Sequence, residues 1–138
     1  MVEPATADPT PSPPPVVQVA CLCAAWCDLC TDYRSVLRSV AADWHARSPQ
    51  HPLRWHWIDI EDEADLVGEV DVETFPTLVI ADGAGVRFAG PLTPQPETLL
   101  RLLRATVLDA RDDTRWPAAG SEVQAFAARL RSRPEGAT

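Results

Sequence analysis

Four cysteines, Cys21, Cys23, Cys27 and Cys30, fall within the stretch CLCAAWCDLC, and the 138-residue chain has no others. Thiols this close together can do three things. Two of them can exchange electrons with a disulfide, four can cage a metal ion, or they can sit inert as small apolar side chains. A structural disulfide framework does not fit, because frameworks join distant segments and these bonds would close only tiny loops. In a reducing compartment such a cluster is more often catalytic or metal-binding.

Cys27 and Cys30 are separated by two residues where an apolar run gives way to a helical pattern. At such a junction the unpaired N–H groups of the first helical turn and the positive end of its dipole face the first thiol, a setting that activates cysteine for attack. Cys30, one turn on, can attack a mixed disulfide formed at Cys27, which is the minimum machinery of a dithiol exchanger. Cys21 and Cys23 share one face of the preceding strand. Cys21 lies about two residues, roughly 6 to 7 Å, deeper. Both read as small buried residues, with Cys23 near enough to serve as a third redox partner. A metal centre would need all four, since structural zinc takes four thiolates or imidazoles.

The elements that must position these thiols follow from periodicity. VVQVACLC is rich in β-branched and small apolar residues and predicts a central strand at about 16 to 23. From Leu29, the residues Tyr33, Val36, Leu37, Val40, Ala41 and Trp44 recur at helical spacing, predicting a long amphipathic helix that SPQHP breaks. LRWHWIDI alternates Leu53, Trp55 and Trp57 against Arg54, His56 and Ile58, a second strand with one more polar face. A short acidic turn of helix ends near Gly68. TLVIA and VRFA flank the turn residues DGAG and predict a β-hairpin. Leu99, Leu102, Leu103, Thr106 and Val107 mark one face of a further helix whose prolines stay in its first turn. A last helix opens at Ser121, with Gln124 as the partner in a capping box, and carries Val123, Phe126, Ala127 and Leu130.

Composition narrows the partners. Twelve basic against 20 acidic residues give a formal charge of −8, which repels phosphate backbones and anionic lipid surfaces. Neither nucleic acid nor a membrane is expected. Residues 1–15 hold six of the 14 prolines and neither the basic nor the apolar part of a secretory signal, so a disordered arm and a cytoplasmic location are expected. The eight carboxylates of DIEDEADLVGEVDVE lack the glycine and ligand periodicity of an EF-hand and read as a solvated acidic face. His45, His51 and His56 share no ligand spacing and read as surface or structural residues.

AAWCDLC, followed about forty residues later by TFPT and a hairpin, resembles thioredoxin over residues 16 to about 108. The resemblance implies an α/β three-layer sandwich with a minimal four-stranded mixed sheet in the order 4-3-1-2, flanked by helices. Residues 109–138 would add an extension with a short helix. It implies that Cys27 attacks a substrate disulfide and Cys30 resolves it, with Trp26, Phe75, cis-Pro76 and Gly90 bordering the substrate chain. Departures accompany the match. Asp28-Leu29 replaces the usual Gly-Pro, and the family's buried aspartate and its lysine partner fall at Cys21 and Trp57. The edge strand at 53–59 would bear Trp55 and Trp57 and invite cover by the C-terminal helix or a partner.

The resulting expectation is a thiol-disulfide oxidoreductase, a reductase by default, that needs no cofactor. It would act on protein or small-molecule disulfides and draw electrons from a thiol reductant or a reductase. The rivals are a redox sensor or binding module without turnover, and metal binding by Cys21, Cys23, Cys27 and Cys30.

Overall fold

A computed structural model describes residues 16–111 and 113–133. The arm at 1–15 lies outside them. The chain runs β1 (Val17–Cys23), α1 (Asp28–Arg47), β2 (Leu53–Asp59), α2 (Ala64–Val67), β3 (Thr77–Asp82), β4 (Gly85–Pro91), α3 (Pro96–Leu103) and α4 (Ser121–Arg131). A π-helical turn, Arg104–Leu108, continues α3.

β1 is buried at all seven positions because it lies inside the sheet, whose order is β2-β1-β3-β4. It pairs parallel with β2 and antiparallel with β3, and β3 pairs antiparallel with β4. This is the expected 4-3-1-2 order with one antiparallel internal strand.

Alternation along β1 divides the core in two. Val17, Val19, Cys21 and Cys23 face a layer built from Cys30, Tyr33, Leu37, Val40 and Trp44 of α1 and from Leu99 and Leu103 of α3. Ala20 and Leu22 face the opposite layer, where Phe126, Ala127 and Leu130 of α4 pack with Ile58 and Val79. Burial of apolar surface on both faces, at about 25 cal/mol per Å², is what makes this strand the centre of the fold.

The period of two also decides what covers the edge. β2 is the edge strand, but its tryptophans lie on the α1 side, where the Arg34 guanidinium sits 5.3 Å from the centre of the Trp57 ring. On the other face Ile58 lies in the layer that α4 closes, and Arg133, just beyond that helix, reaches His56. The expectation that the C-terminal helix would screen the tryptophans is corrected by this geometry.

That more polar face holds a buried network. His56 is 1% exposed and bonds Gln18 Oε1 through Nε2 at 2.6 Å. Its Nδ1 faces Arg133 Nη1 at 3.1 Å, so the neutral ring that accepts from arginine and donates to the glutamine satisfies both neighbours. Arg133 also pairs with Glu63 at 2.9 Å and Arg54 donates to the Arg133 carbonyl at 2.7 Å, tying β2, α2 and the end of α4 together.

The hairpin turn is built by Asp82, whose Oδ1 accepts from the amides of Ala84 at 2.7 Å and Gly85 at 3.0 Å. Its Oδ2 holds Arg87 at 2.7 Å, and Arg87 in turn donates to the Thr106 carbonyl at 2.7 Å, at the π-helical turn. The proposed capping box at Ser121 does not form. Gly120 is the N-cap of α4, and Gln124 instead accepts from the Val86 amide at 3.3 Å, because it is needed across the layer against β4.

Candidate functional site

The cysteine cluster sits where β1 hands over to α1. Cys27 is the N-cap of the 20-residue α1: its backbone is extended, its carbonyl accepts from the amides of Cys30 at 3.1 Å and Thr31 at 3.2 Å, and its side chain makes no capping bond. The side chain is thus not consumed as a cap, and Cys27 stands at the N-terminal, positive end of the α1 dipole. Cys27 is half-buried and its thiol is free.

Cys30 is buried and disulfide-bonded to Cys23, with the two Cα atoms 5.8 Å apart, inside the range a disulfide spans. The pairing differs from the expected Cys27–Cys30 bond. The reason is directional. Cys30 points inward at the start of the helical stripe that continues through Tyr33 and Leu37, and Cys23 points up at the same layer from the end of β1. Cys27, one turn earlier, sits at the rim. Cys23, expected as a small buried residue with an auxiliary redox role as the alternative, is thus the bonded partner of Cys30.

Cys21 does read as one. It is fully buried, burial pushes its thiol up to about 12, and it stays a neutral hydrophobe. It lies directly across from Trp57 on β2 and Leu78 on β3. Tyr33 shares its layer, and burial, with a smaller contribution from Cys21, raises the Tyr33 phenol as well. The Tyr33 hydroxyl has no hydrogen-bond partner among the described residues.

Trp26 is 67% exposed and meets Phe75 edge to face, ring centres 5.7 Å apart. That contact brings the loop before β3 against the residue preceding Cys27. The Phe75–Pro76 peptide bond is cis, Pro76 is buried, and its carbonyl accepts from the Leu92 amide at 3.0 Å. Gly90 stands one strand over, across from Leu78, and a Cβ placed there would meet the Phe88 ring at 3.5 Å and nothing else within van der Waals range among the described residues.

One residue with a clear positioning role was not singled out from the sequence. Asp59 ends β2 and accepts three backbone amides: Ala25 at 2.7 Å, Glu61 at 2.8 Å and Asp62 at 3.0 Å. The hydrogen bond from the Asp62 amide, joined by those from Glu61 and Ala25, outweighs the opposing effect of burial and holds the Asp59 carboxyl below its ordinary value. It pins the Ala24-Ala25-Trp26 approach to the beginning of the acidic turn. The signal available was local: a carboxylate at a strand end, followed at two and three residues by amides it can cap. A cleft of about 390 Å³ opens beside it, lined by Cys30, Arg34, Trp57, Asp59 and Glu63.

Among the described residues, no three His, Cys, Asp or Glu side chains converge in a metal-binding group, and no helix is long and apolar enough to cross a membrane.

No protein-family model matches the chain, and no curated protein matches it by sequence. Solved structures do. The chain resembles the first thioredoxin domain of mouse protein disulfide-isomerase A4, at 20% identity and a TM-score of 0.60 over 76% of this chain and 71% of that one. It resembles the germline-specific thioredoxin Deadhead of Drosophila melanogaster at 18% identity and a TM-score of 0.54, covering 64% and 79%. It also resembles mitochondrial thioredoxin 3 of Saccharomyces cerevisiae at 19% identity and a TM-score of 0.53, covering 64% and 77%. The fold is thioredoxin-like, and at these identities the likeness speaks to the fold alone.

Proposed function

We propose that the chain is a thiol-disulfide oxidoreductase working as a disulfide reductase. Cys27 attacks a protein or small-molecule disulfide, and Cys30 resolves the mixed disulfide that results. The observation that carries this reading is the placement of Cys27: a free, half-buried thiol at the N-cap of α1, with Trp26 beside it in contact with Phe75. Trp26, Phe75 and Pro76 border the strip along which a substrate chain lies, and Gly90 leaves room for its backbone. Electrons come from a thiol reductant or a reductase, and no cofactor takes part. The charge of −8 disfavours nucleic acid and membrane partners.

A second reading, a redox sensor or binding module, draws on the same site. Where thioredoxins keep a buried acid, this chain has the neutral thiol of Cys21, which cannot take up a proton from the attacking Cys30 thiol at neutral pH. A slow exchanger that reports oxidation is the form such a site would take.

The test is a Cys30→Ser variant incubated with disulfide-bearing proteins. Mixed disulfides trapped on Cys27, together with reduction of a model disulfide by the wild type, support the enzyme. A trap with no turnover supports the sensor. Neither trap nor turnover sinks both, and stoichiometric zinc or iron in the purified wild type would revive a metal centre.

A further inference from the structure

We infer that Cys23 is a third redox-active cysteine, and that the oxidised protein stores its disulfide between Cys23 and Cys30, leaving the Cys27 thiol free. The inference deepens the exchange reading above and rests on it. Three observations converge. Cys30 is bonded to Cys23 while Cys27 is a free thiol. Cys23 and Cys30 are each 1% exposed, whereas Cys27 reaches solvent. Cys30 lies one helical turn from Cys27 on α1, so a single sulfur has a possible partner on either side.

The sequence of bonds balances. The Cys27 thiolate attacks a substrate disulfide, forming Cys27–S–S–R and releasing one substrate thiolate. The Cys30 thiolate then attacks the Cys27 sulfur, giving a Cys27–Cys30 bond and releasing the second substrate thiolate. In the added step the Cys23 thiolate attacks the Cys30 sulfur, forming Cys23–Cys30 and expelling the Cys27 thiolate, which takes a proton from water. The net change is one substrate disulfide reduced to two thiols, with Cys23 and Cys30 oxidised by two electrons. Reset reverses the last step: the Cys27 thiolate attacks the Cys30 sulfur and expels the Cys23 thiolate, and an external dithiol then reduces the Cys27–Cys30 bond, itself ending as a disulfide.

The functional consequence is an oxidised form that still presents a nucleophile. A pair that ends as Cys27–Cys30 would expose no thiol after one turnover. Moving the bond inward also shields it, because a sulfur reached by solvent is open to attack and a buried one is not.

The experiment uses the full-length reduced protein mixed with oxidised glutathione, acid-quenched at increasing times, alkylated, cleaved before aspartate and sequenced by tandem mass spectrometry. The expected course is an early Cys27–Cys30 bond replaced by Cys23–Cys30, with the final label on Cys27. A persistent Cys27–Cys30 bond with the label on Cys23 would overturn the relay. Native thiol titration of the oxidised protein gives a second readout: about one accessible thiol in wild type and about none in Cys23→Ala, whose folding is verified by circular dichroism. Equal counts in the two proteins also overturn it. The Cys30→Ser trap reports on the exchange reading separately: with the trap intact and a Cys27–Cys30 endpoint, the relay alone fails.

Discussion

The Asp59 carboxylate accepts the Ala25 amide at 2.7 Å, and so the last residue of an edge strand holds the loop that carries Trp26 and Cys27. The same carboxylate caps two amides of the next turn, which makes it a positioning residue for both sides of the cleft beside Cys30.

Removing it should loosen the approach to α1 while the sheet remains. Asp59→Ala forfeits charge-assisted bonds to three amides, a loss of roughly 1 to 2 kcal/mol after water replaces part of it. The expected outcome is a lowered melting temperature and an altered rate of Cys27 alkylation. Asp59→Asn retains acceptor capacity and should recover most of the stability. Equal alkylation rates in wild type and Asp59→Ala would remove Asp59 from the site.

Acid should weaken the fold through His56 before it reaches the carboxylates. Burial, with help from Arg133 and Arg54, lowers this histidine to about 4, so the folded state holds it neutral while the unfolded chain begins to protonate near 6.5. Between those values the unfolded state binds the extra proton, and stability falls as pH falls. The full swing is on the order of 3 kcal/mol. Asp59, whose carboxyl is held low, contributes above the ordinary carboxylate range and is lost only at lower pH. Urea unfolding from pH 7 to 4 should show the decline, and a stable His56→Gln variant should flatten it. An unchanged slope would assign the decline to other groups.

Tyr33→Phe should leave the protein as stable as wild type or more so, by up to about 1 kcal/mol, because it deletes a buried hydroxyl that has no partner among the described residues while keeping the ring. A clear drop in melting temperature would mean that the hydroxyl is bonded in solution.

Gly68→Ala should destabilise. The glycine has φ +63° and ψ −129°, a region open to glycine because it lacks a side chain, and an added Cβ would run into the Arg129 guanidinium. Arg129 cannot easily yield, since it donates to the carbonyls of Leu66 at 2.7 Å and Val67 at 3.1 Å. A cost of about 1 to 3 kcal/mol is expected in denaturant titration. A variant with wild-type stability would show that both the turn and the arginine rearrange freely.

Much of the fold was legible because it is written in short-range periods. The six apolar or small residues of β1, the helical recurrence from Tyr33 to Trp44 and the DGAG turn each state their own conformation, and the strand order followed from the resemblance. The site was legible to the extent that residue type and position in the element define it, as for Cys27 at the helix start. What stayed hidden depends on direction across layers. Periodicity places Cys23 on a face but does not say that Cys30 meets it there, and Gln124 looks like a capping residue until β4 is seen to need it. His56 gives no hint in LRWHWIDI that Arg133, 77 residues on, closes over it.

The helix over that face carries a cost in time. Ala20, Leu22 and Ile58 are complete as a surface once the hairpin has formed, yet their cover arrives with residues 121–131, about thirty residues after β4 ends. During synthesis this greasy face stands open until those residues clear the ribosome, and contacts of such long sequence separation form late. A nascent chain halted before α4 should therefore bind chaperones that the finished chain ignores.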